Sequence, residues 1–280
     1  MRKINATALL AAGLLCSYHS SHAQILKNIG KKIERKAEKA LDKTIDNALD
    51  GSTEDAEAAT TEAAANSGLG PFKNLPEMAY DFKAGNEVIF FDNFSDDSIG
   101  SMASHWTSNG RGSIADVPEF DGRWLRMYDE NTYKIKDLVR IPENFTLEFD
   151  LLTLADSNDD IVIEFGFDHQ KGIGKHYYLG DRNPINIEAS YRFDQFDFTS
   201  NELSQRKSSE VEADMSYFVN DVMNVQLRVQ SDRMEVYINT YKVLDTEMVN
   251  PATKKYFYMA VNDDTNRAGI YLGNVRITKL

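Results

Sequence analysis

Val225-Gln226-Leu227-Arg228-Val229-Gln230-Ser231-Asp232-Arg233-Met234-Glu235-Val236-Tyr237-Ile238 is the stretch that decides the fold. On each side of Ser231-Asp232 an apolar residue falls on every second position, with polar residues between. A period of two belongs to a strand with one buried face, and a two-residue connection is the length that closes a tight hairpin. The same alternation recurs at Phe145-Leu147-Phe149-Leu151 and at Ile161-Ile163-Phe165-Phe167. Further strands are predicted at 88–91, 124–128, 133–138, 176–179, 185–189, 215–218, 256–261 and 270–277, separated by clusters of Asp, Asn, Gly and Ser. About a dozen strands exceed an immunoglobulin domain and predict an all-β fold, a two-sheet antiparallel jelly-roll sandwich.

Upstream of that region the texture differs. Arg2 and Lys3, the apolar run 6–15 and the small residues of Ser21-His22-Ala23 stand in the order of a secretory signal peptide, so 1–23 is predicted to be removed before Gln24. The apolar run is too short to cross a bilayer, for which roughly 20 residues are needed, and no later stretch reaches that length. A lipoprotein signal at Cys16 is the rival reading, but Leu14 and Leu15 stand where small residues belong. Residues 24–50 read as an amphipathic helix, with a stripe of Leu26, Ile29, Ile33, Ala37, Ala40, Thr44 and Ala48 that repeats every eleven residues. That stripe is thin and lacks aromatics, which fits a charged stalk that self-associates through 25–50 better than a membrane-lying helix. Residues 51–75, rich in Ala, Glu, Thr and Ser, read as a flexible acidic linker, and the sandwich is placed at 76–280.

Cys16 is the only cysteine, so signal cleavage leaves no thiol for a disulfide, a nucleophile or a metal. Loss of the two cations Arg2 and Lys3 takes the formal charge from -13 to -15. A nucleic acid partner is excluded on that balance, because phosphate binding needs a basic surface. Of the histidines, only His105, His169 and His176 remain, none at metal-ligand spacing.

One further stretch carries a likeness. Asn86-Glu87-Val88-Ile89-Phe90-Phe91-Asp92-Asn93-Phe94-Ser95, followed by Gly100, His105-Trp106 and Gly122 with Trp124-Leu125-Arg126, resembles the opening of concanavalin A-like (LamG-like) sandwich domains. Ile270-Tyr271-Leu272-Gly273-Asn274-Val275-Arg276-Ile277 resembles their closing strand, which returns to pair beside the first. Helix, acidic linker and this opening together resemble the N-terminal part of Bacteroidetes envelope proteins of the OmpA family, without their OmpA-like domain. The resemblance implies core positions for Trp106 and Trp124, and a choice among sugar binding, glycan hydrolysis and protein adhesion. Function sits in sites grafted on such a scaffold, so the fold does not choose.

Three sets of residues are candidates. Glycan hydrolysis needs two carboxylates about 5–10 Å apart. Glu148 and Asp150 share a strand face and partly match the Glu-x-Asp-x-x-Glu strand of laminarinase-like enzymes, but Thr153 stands where the third acid belongs; Glu164, on another strand with Asp168, is the alternative partner. For glycan binding, the polar face of the opening hairpin offers Gln226, Arg228, Glu235 and Tyr237. For the structural calcium usual in LamG-like domains, Asp92 beside Asp96 and Asp97 is the first choice, with Asp156, Asp159 and Asp160 or Asp263 and Asp264 as further clusters. The expected protein is an exported, noncatalytic component of the periplasm or outer envelope that binds a glycan or an envelope protein. A glycoside hydrolase and a purely structural assembly role are the alternatives.

Overall fold

Alternating apolar positions become two stacked antiparallel sheets in the computed structural model, which describes residues 70–72, 75, 80–136, 140–155, 161–173, 183–263 and 268–280. The signal peptide, the helix and most of the linker expected from the sequence lie outside them, as does the strand expected at 176–179. Numbered in chain order, one sheet runs β13 (Tyr241–Glu247), β12 (Arg233–Ile238), β11 (Asp221–Gln230), β6 (Phe145–Leu154), β15 (Gly269–Lys279), β4 (Phe120–Met127) and β3 (Gly112–Val117). Its eighth strand, β1 (Glu87–Asp92), pairs with the far end of β15. The other sheet runs β10 (Lys207–Glu212), β9 (Gln195–Ser200), β8 (Ile185–Ser190), β7 (Ile161–Asp168), β14 (Tyr256–Asp263), β5 (Asn131–Ile135) and β2 (Trp106–Ser108). Every strand pairing is antiparallel, and the closing strand does return beside the first. Among the described residues no helix is long and apolar enough to cross a membrane.

The inner faces fill the space between the sheets. Phe145, Leu147, Phe149 and Leu151 from β6 meet Ile163, Phe165 and Phe167 from β7, all buried. The Phe149 and Phe165 rings meet edge to face at 5.2 Å, the geometry their quadrupoles favour. Trp106 joins this core at 3% exposure. Trp124, equally buried, belongs instead to a small cluster with Val117 and Leu152 on the outer face of the eight-stranded sheet.

The opening hairpin is β11 and β12, joined through Ser231 and Asp232, with Gln226 opposite Tyr237 and Arg228 opposite Glu235. Ser231 takes the left-handed φ of 57° that so short a connection requires. One expected strand is corrected: Met215–Phe218 is a single 3-10 turn, capped by the Asp214 carboxylate accepting from the Ser216 amide. With three residues per turn, Met215 and Phe218 both sink into the core, which alternation could not have achieved. Five strands went unforeseen: β2, β3, β9, β10 and β13.

Candidate functional site

Before entering β1, residues 80–85 cross the outer face of the eight-stranded sheet as a strap. Its end is tied down where Gly85 donates its amide to Thr278 Oγ1 at 2.8 Å. A Cβ at residue 85 would stand 2.1 Å from the Lys279 carbonyl oxygen, so only glycine permits this approach. At the other end Asp81 is held by three hairpin-side groups: Lys242 Nζ at 2.8 Å, the Tyr237 hydroxyl at 2.8 Å and Arg228 Nη2 at 3.4 Å. The Asp81 carboxyl is lowered to about 2, first by its bond from Lys242 and next by that from Tyr237. Arg228 also donates through Nε to Glu235, and the Lys242 ammonium lies 5.3 Å from the centre of the Tyr237 ring. Phe82 and Tyr80 stand edge-on to that same ring at 5.4 and 5.8 Å.

All four residues expected to bind ligand therefore lie beneath or beside the strap. Tyr237 is fully buried, Gln226 and Glu235 nearly so, and their polar atoms are engaged by the chain itself. The signal missed in the sequence was Asp81, an acid at a distance of more than a hundred residues from the cations it meets.

Strand register extends this hairpin face into a longer row. Tyr237 stands opposite Gln226, Gln226 opposite Glu148, Glu148 opposite Arg276, and Arg276 opposite Phe91. Five adjacent strands at roughly 4.8 Å spacing make the row about 19 Å long. Tyr80, 40% exposed, donates its hydroxyl to Gln226 Oε1 at 2.8 Å, and Phe91, 53% exposed, closes the other end. Between these two open rings lie an amide, a half-buried carboxylate and a guanidinium. Burial raises the Glu148 carboxyl above its ordinary value, while Arg276 and a hydrogen bond from Gln226 act to lower it. Glu148 from the catalytic set and Gln226 from the binding set thus meet in one place, joined by Tyr80, Phe91 and Arg276, which sequence reasoning did not single out.

The catalytic set is otherwise dispersed. Asp150 sits on the same outer face, but Asn224 Nδ2 and Asn274 Nδ2 donate to its two oxygens at 2.8 and 2.7 Å, and burial raises its carboxyl above the usual range. Glu164 is on the outer face of the other sheet, with the sandwich between it and Glu148. Sheets stack about 10 Å apart before any side chain is added, so Glu148 and Glu164 cannot flank one glycosidic bond. Glu164 heads a row of acids of its own, opposite Glu188, which is opposite Asp197, which is opposite Glu210.

Asp92 is placed for structure. Its Oδ1 accepts the Phe94 amide at 2.8 Å and its Oδ2 the indole N–H of Trp106 at 2.9 Å. Calcium takes six to eight oxygen ligands, whereas the partners found around Asp92 are N–H donors. Asp97 likewise accepts from the Ser104 amide. Among the described residues no three His, Cys, Asp or Glu side chains converge on a metal position. The residues present around Asp92 do not fit the ion. Asp156, Asp159, Asp160 and Asp264, and the side chain of Asp263, lie outside the described residues.

No family model matches the chain, and no curated protein matches it. Solved structures do. The Emp47p carbohydrate recognition domain superposes with a TM-score of 0.52 at 9% identity, covering 69% of this chain and 97% of that one. The calcium-bound exoplasmic/lumenal domain of VIP36 gives 0.49 at 11% identity, covering 69% and 90%. The carbohydrate-binding module CBM66 from Bacillus subtilis gives 0.43 at 16%, covering 62% and 96%. At such identities the likeness is one of fold, and the fold of this chain is a two-sheet antiparallel jelly-roll sandwich of the concanavalin A-like kind.

Proposed function

We propose that this protein is an exported, noncatalytic glycan-binding module of the cell envelope, carried on its helical N-terminal segment, and that the sugar lies along the row from Tyr80 to Phe91. The observation that carries the reading is the row itself: two exposed aromatic rings with Gln226, Glu148 and Arg276 between them. Rings offer flat apolar faces to the C–H faces of a pyranose, while the Glu148 carboxylate and the Arg276 guanidinium supply an acceptor and donors for its hydroxyls. Likeness in fold to the Emp47p carbohydrate recognition domain supports the reading. So does the placement of the acids, since Asp150 is held by two asparagines and Glu164 lies on the other sheet from Glu148. The test is a glycan array of the full chain beside Tyr80→Ala and Phe91→Ala. Retention of a defined glycan by the parent and its loss in both variants is expected; an array with no binder, or binding indifferent to both rings, sinks the proposal.

A further inference from the structure

Cations in so acidic a chain should find carboxylates, and around the strap they do: Arg228, Arg233 and Lys242 are all ion-paired. Arg111 and Arg126 are not, among the described residues. Each lies against the same ring instead, the guanidinium carbons 5.4 and 5.1 Å from the centre of Tyr128. The two charges are thereby held within about 10.5 Å of each other, near one Debye length. One further donor stands at the same ring, because the Tyr128 hydroxyl is 3.1 Å from Ser113 Oγ and only one of that pair gives its proton to the other.

The cluster is pre-organised from below. The buried phenol of Tyr133 accepts the Tyr128 amide at 2.8 Å and donates to the Arg111 carbonyl, so one side chain fixes the backbone under both the ring and one of its cations. Gly112, next to Arg111, has Met102 Sδ and the Tyr133 ring where a Cβ would go, which leaves that turn little room to shift. Arg126 is fixed by β4, where it stands opposite both Tyr271 and Ser113.

We propose that Arg111, Arg126, Tyr128 and Ser113 form an oxyanion site that takes the carboxylate of an acidic sugar. Planar guanidinium forks match a carboxylate with two parallel bonds, and both guanidinium groups already lie against one ring, which reduces the freedom lost on binding. The glycan identity rests on the function proposed above; the oxyanion chemistry does not, and the row from Tyr80 to Phe91 is a separate place.

The test is calorimetric titration of the full chain, at low ionic strength, with a galacturonic acid trimer, a neutral galactose trimer and inorganic phosphate. The uronate trimer is expected to bind more tightly than the neutral one, and to weaken at least about tenfold in Arg111→Gln and in Arg126→Gln. Arg126→Lys, which keeps the charge but not the fork, should fall between, and Tyr80→Ala should leave uronate binding intact while abolishing glycan binding along the row. Thermal melts of each variant confirm folding. Uronate affinity unchanged by both arginine substitutions overturns the site, and so does phosphate binding at the arginines without any uptake of the trimer.

Discussion

Arg276 stands opposite Glu148 across β15 and β6, on the outer surface of the sheet, and its charge opposes the burial that raises the Glu148 carboxyl. A carboxyl group so placed accepts from sugar hydroxyls most strongly, and at both oxygens, while ionised. Because its pKa is raised, it protonates at a higher pH than an ordinary glutamate. Glycan affinity along the row should therefore decline on acidification before an exposed carboxylate would titrate, and Glu148→Gln should flatten that pH profile while weakening binding about tenfold, about 1.4 kcal/mol. Affinity measured from neutral to mildly acidic pH decides this; a parent profile identical to that of Glu148→Gln excludes the role.

Asp81 tests the strap. Its folded pKa is about 2 against 3.8 in its absence of partners, so its contribution is present above pH 3.8 and disappears as the pH falls through about 2. The side chain is half exposed, which limits the ion pairs to about 1 kcal/mol in total. Asp81→Asn should melt a few degrees below the parent at neutral pH, and the two curves should converge toward pH 2. Parallel curves across that window would mean that Asp81 does not anchor the strap.

Tyr237→Phe removes one hydroxyl and little else. That hydroxyl is buried between Asp81 and Glu235, at 2.8 and 3.1 Å, and bonds to charged acceptors are worth about 1.5–3 kcal/mol. Urea denaturation should report a loss in that range with an unchanged slope.

Gly85→Ala places a methyl against the Lys279 carbonyl oxygen and Thr278. Forced overpacking of this kind costs about 1–3 kcal/mol. Hydrogen exchange should quicken first in β1 and the facing end of β15, since the approach of residue 85 sets the entry into that pairing. Uniform destabilisation with no local change would place the glycine's role elsewhere.

How much of this could be read from one sequence follows from what each feature depends on. β6, β7, β11 and β12 were legible because a strand buried on one face writes its period into consecutive residues. β10, Lys-Ser-Ser-Glu-Val-Glu, was not, because an exposed edge strand has no buried face to impose a period. Met215 and Phe218 misled because spacing of three serves a 3-10 turn better than a strand. Glu148 and Gln226 were both singled out, but for different chemistries, and what joins them is register. Whether Gln226 faces Glu148, or Arg276 faces Phe91, depends on pairings between strands tens to nearly two hundred residues apart, which no local pattern encodes. Asp92 shows the converse. An Asp-rich turn suggested a cation, and the indole and amide donors that satisfy it became visible only when Trp106 was seen beside it.

Residues 80–85 also decide how the domain meets tension. A pull on the chain upstream of Tyr80 does not reach the β1 ladder directly. It is met first by Phe72, buried against Phe196, Phe218 and Tyr241, then by the Tyr80 hydroxyl on Gln226 and the three attachments of Asp81, and only afterwards by the Gly85 tie and the backbone pairing of β1 with β15. Side-chain attachments of this sort release and re-form without disturbing a sheet. The strap is in that sense a strain relief: a tug from upstream is taken up by one buried ring and a few reversible side-chain bonds, and β1 stays in register on β15.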